Sequence, residues 1–205
     1  MSLAELRITS LQFLRDRVIG DSQAQADDAN VAALGLISSF GRVGLGFIQA
    51  LFALLPDRSQ IESIFATEVW SGIEGQPAIG LVHRLFRLGG GNQRATSLTF
   101  YKALQVAGWD LAAKEAGLPL HRLLSSRRDR VNAFASGRDF HLSDYAFQTR
   151  SAHAASAGGK AFKIEVGHED FARDLRRLTL LKGVVSKVSQ LMVDANGAWM
   201  PRKRW

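Results

Sequence analysis

The chain has no cysteine among its 205 residues, which excludes disulfides, thiolate metal sites and cysteine nucleophiles. That is compatible with a reducing cytoplasm, the expected location. Long apolar runs are missing as well. The longest, around Val43–Leu55, is broken by glycines and Gln49 and is too short to span a bilayer, so no membrane partner is expected. The opening Met1-Ser2-Leu3-Ala4-Glu5-Leu6-Arg7 lacks the basic-then-apolar layout of a secretory signal. Gly89-Gly90-Gly91-Asn92 is followed by no Lys-Ser/Thr and preceded by no clear strand, so it reads as a loop rather than a phosphate cradle. No internal repeat or low-complexity tract is evident.

What the chain has in excess is positive charge: 26 Lys and Arg against 19 Asp and Glu, a net charge of +7. Such a surplus invites a nucleic-acid or anionic-membrane reading. The basic residues cluster in Ser125–Arg130 and in Arg202-Lys203-Arg204. Neither cluster interleaves with stacking aromatics, so the surplus reads as solvated surface and no nucleic-acid partner is expected. A missing acidic C-terminal portion would leave the same surplus. At 46% hydrophobic and 22% charged, the composition is that of a soluble globular protein with a sizeable core.

Periodicity divides the chain in two. Leu6–Phe13 alternates locally and predicts a strand, whereas polar Arg15–Asn30 reads as a mobile loop. Val31–Ile37 and Arg42–Phe47 flank Ser38-Ser39-Phe40-Gly41, a hairpin with Gly41 supplying the turn. Gln49–Leu55 predicts a short helix ended by Pro56. Ile61, Ile64, Phe65 and Val69 mark an amphipathic helix over Ser59–Val69. Thr96–Ala116 is a longer one, carrying Phe100, Leu104, Ala107, Trp109 and Leu111 and stopped by Gly117 and Pro119. These elements make an α+β domain, residues 1–127. Past the basic linker Ser125–Arg130 come strand Val131–Ala135, helix Ser143–Ala157, strand Ala161–Val166, helix Glu169–Lys182 and strand Gln190–Val193. That βαβαβ order, over residues 128–205, predicts parallel strands with right-handed crossovers.

Two of those strands turn abruptly polar at their ends, in Phe162-Lys163-Ile164-Glu165-Val166-Gly167-His168 and in Leu191-Met192-Val193-Asp194-Ala195-Asn196-Gly197. Alternation puts Lys163 and Glu165 on one face, and Asp194 and Asn196 on one face. Polar pairs at the C-terminal ends of consecutive βα strands are how a (β/α) barrel builds an active site. Taken alone, Lys163 also reads as a strand-end lysine reaching for solvent, and Asp194-Ala195-Asn196-Gly197 as a plain turn.

Ala107-Gly108-Trp109-Asp110-Leu111-Ala112-Ala113-Lys114-Glu115-Ala116-Gly117-Leu118-Pro119-Leu120 resembles the helix and exit turn that close the capping domain of the mandelate racemase/muconate lactonizing enzyme group of the enolase superfamily. Phe162–Gly167 resembles that group's second barrel strand, and Met192–Trp199 its third, with the Asp-x-Asn motif intact. The resemblance implies an α/β protein: an α+β capping domain followed by a (β/α) TIM-type barrel, of which about three strands are present. It implies removal of the proton α to a carboxylate, with Mg²⁺ stabilising the enediolate. Asp194 then corresponds to the first of three carboxylate Mg²⁺ ligands, Asn196 to a substrate or metal-site contact, and Lys163 to the first lysine of a Lys-x-Lys pair lying against the substrate carboxylate. His168, just past the strand, is either a substrate contact or a surface loop histidine. The segment Arg15–Asn30 corresponds to where the capping domain reaches over the barrel mouth.

Three departures qualify the expectation. Glu165 stands where many members have the second lysine, and is left as a proton acceptor, a metal ligand or a partner of a substrate hydroxyl. A racemase needs bases on both faces of the substrate carbon and a dehydratase mainly one, so Glu165 favours dehydration of a sugar acid. Gly46-Phe47 replaces the Gly-Glu that usually closes the hairpin. A complete barrel takes about 250 residues, yet only residues 131–205 follow the linker. The resemblance therefore implies a chain truncated after the third strand, inactive alone and with weak or absent Mg²⁺ binding. Racemisation, epimerisation and cycloisomerisation stay open as alternatives, as do self-association and pairing with a full-length relative.

Overall fold

An 18-residue strand, β1 (Leu3–Gly20), opens the chain and turns back into β2 (Gln25–Ser38). The computed structural model describes residues 2–50, 55, 57–82, 95–137 and 139–199. The mobile loop expected over Arg15–Asn30 is thus corrected: it is the far half of a hairpin. Asp21 fixes the turn. Its N–H donates to the Ala24 carbonyl (2.9 Å), and its Oδ1 accepts the N–H groups of Gln23 (2.8 Å) and Ala24 (3.1 Å). The strand expected over Leu6–Phe13 lies within β1; beyond Phe13 most of β1 is exposed, so no apolar alternation marks that half as a strand.

β3 (Val43–Ala50) completes a sheet of order β1-β2-β3, antiparallel to β2 from Ile37↔Val43 to Asn30↔Ala50. Gly41 carries the expected turn at φ +76°. Gln49 and Ala50 continue β3, which corrects the start of the helix expected over Gln49–Leu55; residues 51–54 and Pro56 lie outside the described residues. So do Gly89-Gly90-Gly91-Asn92 and Arg202-Lys203-Arg204.

Asp57 begins α1 (Arg58–Ile64) in a capping box with Gln60, and the helix widens into a π-turn over Phe65–Val69. α2 (Ala95–Ala116) ends at Gly117, φ +66°, and Pro119 starts the short α3 (Leu120–Leu123). Leu34, Leu36 and Ile48 of the sheet pack with Ile61 and Phe65, and with Leu104, Ala107 and Leu111 of α2.

The contact between α2 and β3 explains much of the Ala107–Leu120 motif. A Cβ on Gly44 would lie 2.1 Å from the Ala107 carbonyl oxygen, and one on Gly46 only 1.9 Å from that of Ala103, so the helix rests on bare backbone. Asp110 Oδ2 accepts the Leu45 N–H (2.8 Å), and Lys114 Nζ donates to the Val43 carbonyl (2.8 Å) and to Asp110 (2.7 Å). These two side chains occupy backbone groups of β3, the edge strand, that would otherwise be open to pairing with another chain.

Contacts group the chain into two units: Met1–Leu14 with Asp28–Asp129, and Arg15–Asp27 with Arg130–Trp205. In the second, α4 (Asp144–Ser156) starts at Ser143, whose hydroxyl accepts the Ala146 N–H. β4 (Ala161–Glu165) leads to α5 (Phe171–Val184), capped by Asp170, and then to β5 (Gln190–Asp194). β4 and β5 are parallel, from Ala161↔Gln190 to Glu165↔Asp194. The strand expected over Val131–Ala135 is corrected to its last residue: Ala135 makes a single parallel bridge to Phe162, and Val131 and Phe134 are exposed. Phe147, Phe162, Ile164, Val166 and Leu181 form this unit's core. Among the described residues no helix is long and apolar enough to cross a membrane.

Candidate functional site

Alternation along β4 buries Phe162 and Ile164 in the core and leaves Lys163 and Glu165 on the opposite face. Register brings Glu165 level with Asp194 and Lys163 level with Met192. The long lysine side chain reaches along the sheet, and its Nζ donates to Asp194 Oδ2 at 2.8 Å. The two side chains are 29% and 36% exposed, so the pair lies at the rim of the unit, within reach of water and of a ligand.

Asp194 Oδ1 accepts the Asn196 N–H (3.1 Å), which folds Asp194-Ala195-Asn196-Gly197 into an aspartate-stabilised turn. Asn196 sits there at φ +48°. This corrects the expectation that it shares a strand face with Asp194: β5 has already ended. The Asn196 Nδ2 is buried without a partner among the described residues. Three segments meet beside this turn. Ser22 of the hairpin tip donates its hydroxyl to the Ala195 carbonyl (2.9 Å). Gly167, at φ +102°, lies so close that a Cβ would be 2.6 Å from the Ala198 methyl and 3.2 Å from Ser22 Oγ.

Glu165 is buried among polar partners of its own. It is 7% exposed, its N–H donates to Asp139 Oδ1 (3.1 Å), and its Oε2 accepts the Phe140 N–H (3.2 Å). Burial pushes the Asp139 carboxyl up to about 6, against the pull of the Glu165 N–H and of Arg177. Arg177 is fully buried, and that burial holds its guanidinium below the ordinary arginine value. His168 is tied to the start of α5: its Nδ1 accepts the Asp170 N–H (3.0 Å), and its own N–H donates to Asp174 (3.0 Å).

Sequence reasoning missed Asp139, Asp174 and Arg177. A signal existed for the last two. Asp174, Arg177 and Leu181 recur at helical spacing, and all three are buried, so α5 carries charges on its apolar stripe. Asp139 gave no such signal, because it lies in an irregular segment.

A lysine beside a carboxylate at a strand mouth can hold an anionic group and stabilise charge developing on it. A magnesium ion asks for more, a near-octahedral set of oxygens. Asp194 supplies one carboxylate, with Oδ2 taken by Lys163 and Oδ1 by the Asn196 N–H. Among the described residues no group of three or more His, Cys, Asp or Glu is placed to hold a metal ion. On their own these residues do not fit the ion.

No family model matches the chain. Solved and curated proteins do. A provisionally named mandelate racemase from Mesorhizobium loti is 61% identical over 98% of this chain and 52% of its own, with a TM-score of 0.86. An L-talarate dehydratase from Polaromonas sp. JS666, solved with Mg and L-glucarate, is 26% identical over 97% of this chain and 55% of its own, with a TM-score of 0.76. The L-talarate/galactarate dehydratase of Salmonella typhimurium is 36% identical over 97 residues, 47% of this chain and 24% of that protein. Other matched relatives are an epimerase and cycloisomerases. The chain thus spans about half the length of these solved structures and 24% to 46% of the curated relatives.

Proposed function

We infer, for a chain that belongs to the mandelate racemase/muconate lactonizing enzyme group of the enolase superfamily, that it supplies part of a site removing the proton α to the carboxylate of a sugar acid, leading to loss of water. The observation that carries this reading is the Lys163–Asp194 contact at the C-terminal ends of two adjacent parallel strands, with Glu165 two residues further along β4. Lys163 holds the substrate carboxylate and stabilises the charge that spreads onto it as the C2–H bond breaks. Glu165 takes the C2 proton and the electron pair moves into the carboxylate system. The pair then returns to form the C2–C3 double bond as the C3–O bond breaks, and the departing hydroxyl takes the proton back from Glu165 to leave as water.

Dehydration is favoured over racemisation because Glu165 stands where a second lysine would complete a base pair across the substrate. Three matched relatives are named as acid-sugar dehydratases. Asn196, whose buried Nδ2 has no partner among the described residues, donates to a substrate hydroxyl. His168 has spent Nδ1 on Asp170, so only Nε2 is left for substrate. Asp194 is the residue of this chain that magnesium would use. The described residues do not complete a set of oxygens for the ion, and the purified chain is expected to show no turnover by itself.

The test is an assay of water loss from a panel of aldonic and aldaric acids with Mg²⁺ present. It is run on the purified chain and on a chimera joining it to the remaining half of the Mesorhizobium loti protein. Activity in the chimera, lost in Lys163→Met, is the expected result. Conversion to an isomer without water loss would favour epimerase or cycloisomerase chemistry. No turnover in either form would overturn the reading.

A further inference from the structure

Glu165 is grasped from two sides by one dipeptide. Its N–H donates to Asp139 Oδ1 (3.1 Å), while the Phe140 N–H donates to its Oε2 (3.2 Å). The grasp is buried, Asp139 being 5% exposed and Glu165 7%. Arg177 fixes the dipeptide from α5. Its Nη2 donates to the Asp139 carbonyl (2.7 Å) and lies 3.8 Å from Asp139 Oδ1, and its Nη1 donates to the carbonyls of Phe140 (3.3 Å) and Leu142 (3.2 Å). Its guanidinium also stacks 4.3 Å from the Phe147 ring centre. Arg173 donates to the Phe140 carbonyl as well. A shift of this segment would strand buried carbonyls and a buried cation, each at high cost.

A glutamate without such contacts samples several rotamers and places its oxygens over a wide arc. Here Oε2 is committed to Phe140, and Oε1 takes no hydrogen bond among the described residues. We propose that Asp139 is a positioning residue for Glu165. Together with the Phe140 amide it holds the Glu165 carboxylate in one rotamer on the face shared with Lys163, and leaves Oε1 as the oxygen that accepts a proton. The proton-accepting role rests on the proposed function; the holding does not.

The holding is tested by NMR on the full chain, reading three-bond couplings along the Glu165 side chain and hydrogen exchange at the Glu165 and Phe140 amides. The wild type is expected to show couplings of a single rotamer. In Asp139→Ala these become averaged, and the two amides exchange about fivefold faster or more, the factor expected for one lost hydrogen bond. Asp139→Asn keeps an acceptor at the same reach and is expected to restore the single rotamer. Leu181→Ala loosens the same core without touching these contacts and should leave Glu165 fixed. If Asp139→Ala does not fold, Asp139→Ser, too short to span the gap, replaces it. Averaged couplings in the wild type would overturn the proposal, and so would a single rotamer in the shortened variant. Water loss by the chimera without the NMR signature would sink the positioning role alone. The signature without turnover in any form would sink Glu165 as the base and leave Asp139 as its holder.

Discussion

Among the described residues Asp139 carries the clearest pH signature, since burial raises its carboxyl from an ordinary 3.8 to about 6. The folded chain therefore keeps this proton to higher pH than the unfolded chain does. Between those two values the native state binds more protons, so stability falls as pH rises, from full benefit below about pH 4 to none above about pH 6. A displacement of that size corresponds to roughly 3 kcal/mol. Asp139→Asn cannot titrate, so its urea midpoint is expected to lack this decline, and parallel curves for variant and wild type would contradict the assignment. The Lys163–Asp194 pair behaves differently. Both side chains are about a third exposed, and such a bridge is worth at most about 1 kcal/mol. Lys163→Met should therefore lower stability by less than about 1 kcal/mol, so any loss of turnover in that variant reports chemistry rather than unfolding.

The elements hold together through contacts a hydrophobicity pattern cannot display. α2 lies on β3 because residues 44 and 46 have no side chain. Gly46→Ala must push the helix off the strand, and is expected to cost about 3 kcal/mol in chemical denaturation. Asp110→Ala releases the Leu45 N–H and Lys114 together, with an expected loss of about 1–2 kcal/mol. α5 acts as a clamp. Asp174 Oδ2 accepts the N–H groups of Gly167 (2.7 Å) and His168 (3.0 Å), one turn from Arg177 and the carbonyls that it gathers. Arg177→Ala takes the arginine donors from the Asp139 and Leu142 carbonyls and the cation from beside the Asp139 carboxylate, an expected loss of about 3–5 kcal/mol. The hairpin half at Arg15–Asn30 was illegible for a related reason. A strand exposed on most of its length has no need of alternation, and its turn is set by Asp21 beside Gly20, where a Cβ would lie 2.2 Å from the Ala24 carbonyl oxygen.

At the scale of the whole chain, periodicity was a good guide wherever an element buries one face. The Val31–Phe47 hairpin, the long α2 and the α4–β4–α5–β5 run all follow it, and the matched structures of the enolase superfamily share that architecture. The strand-end positions of Lys163, Glu165 and Asp194 were legible for the same reason, because a period of two fixes which side chains share a face. The surroundings of Glu165 were not legible, since Asp139 meets it only across 26 residues of sequence. The chain spans about half the length of the solved relatives, so chemistry is best read in the chimera with the Mesorhizobium loti half. The most direct measurement is loss of the C2 proton signal of aldonic and aldaric acids in D₂O, which registers α-proton removal both when the carbon is reprotonated from solvent and when water is lost. Loss of that signal with the chimera, abolished in Lys163→Met while its thermal midpoint holds, is the predicted result; loss unaffected by Lys163→Met would contradict the account.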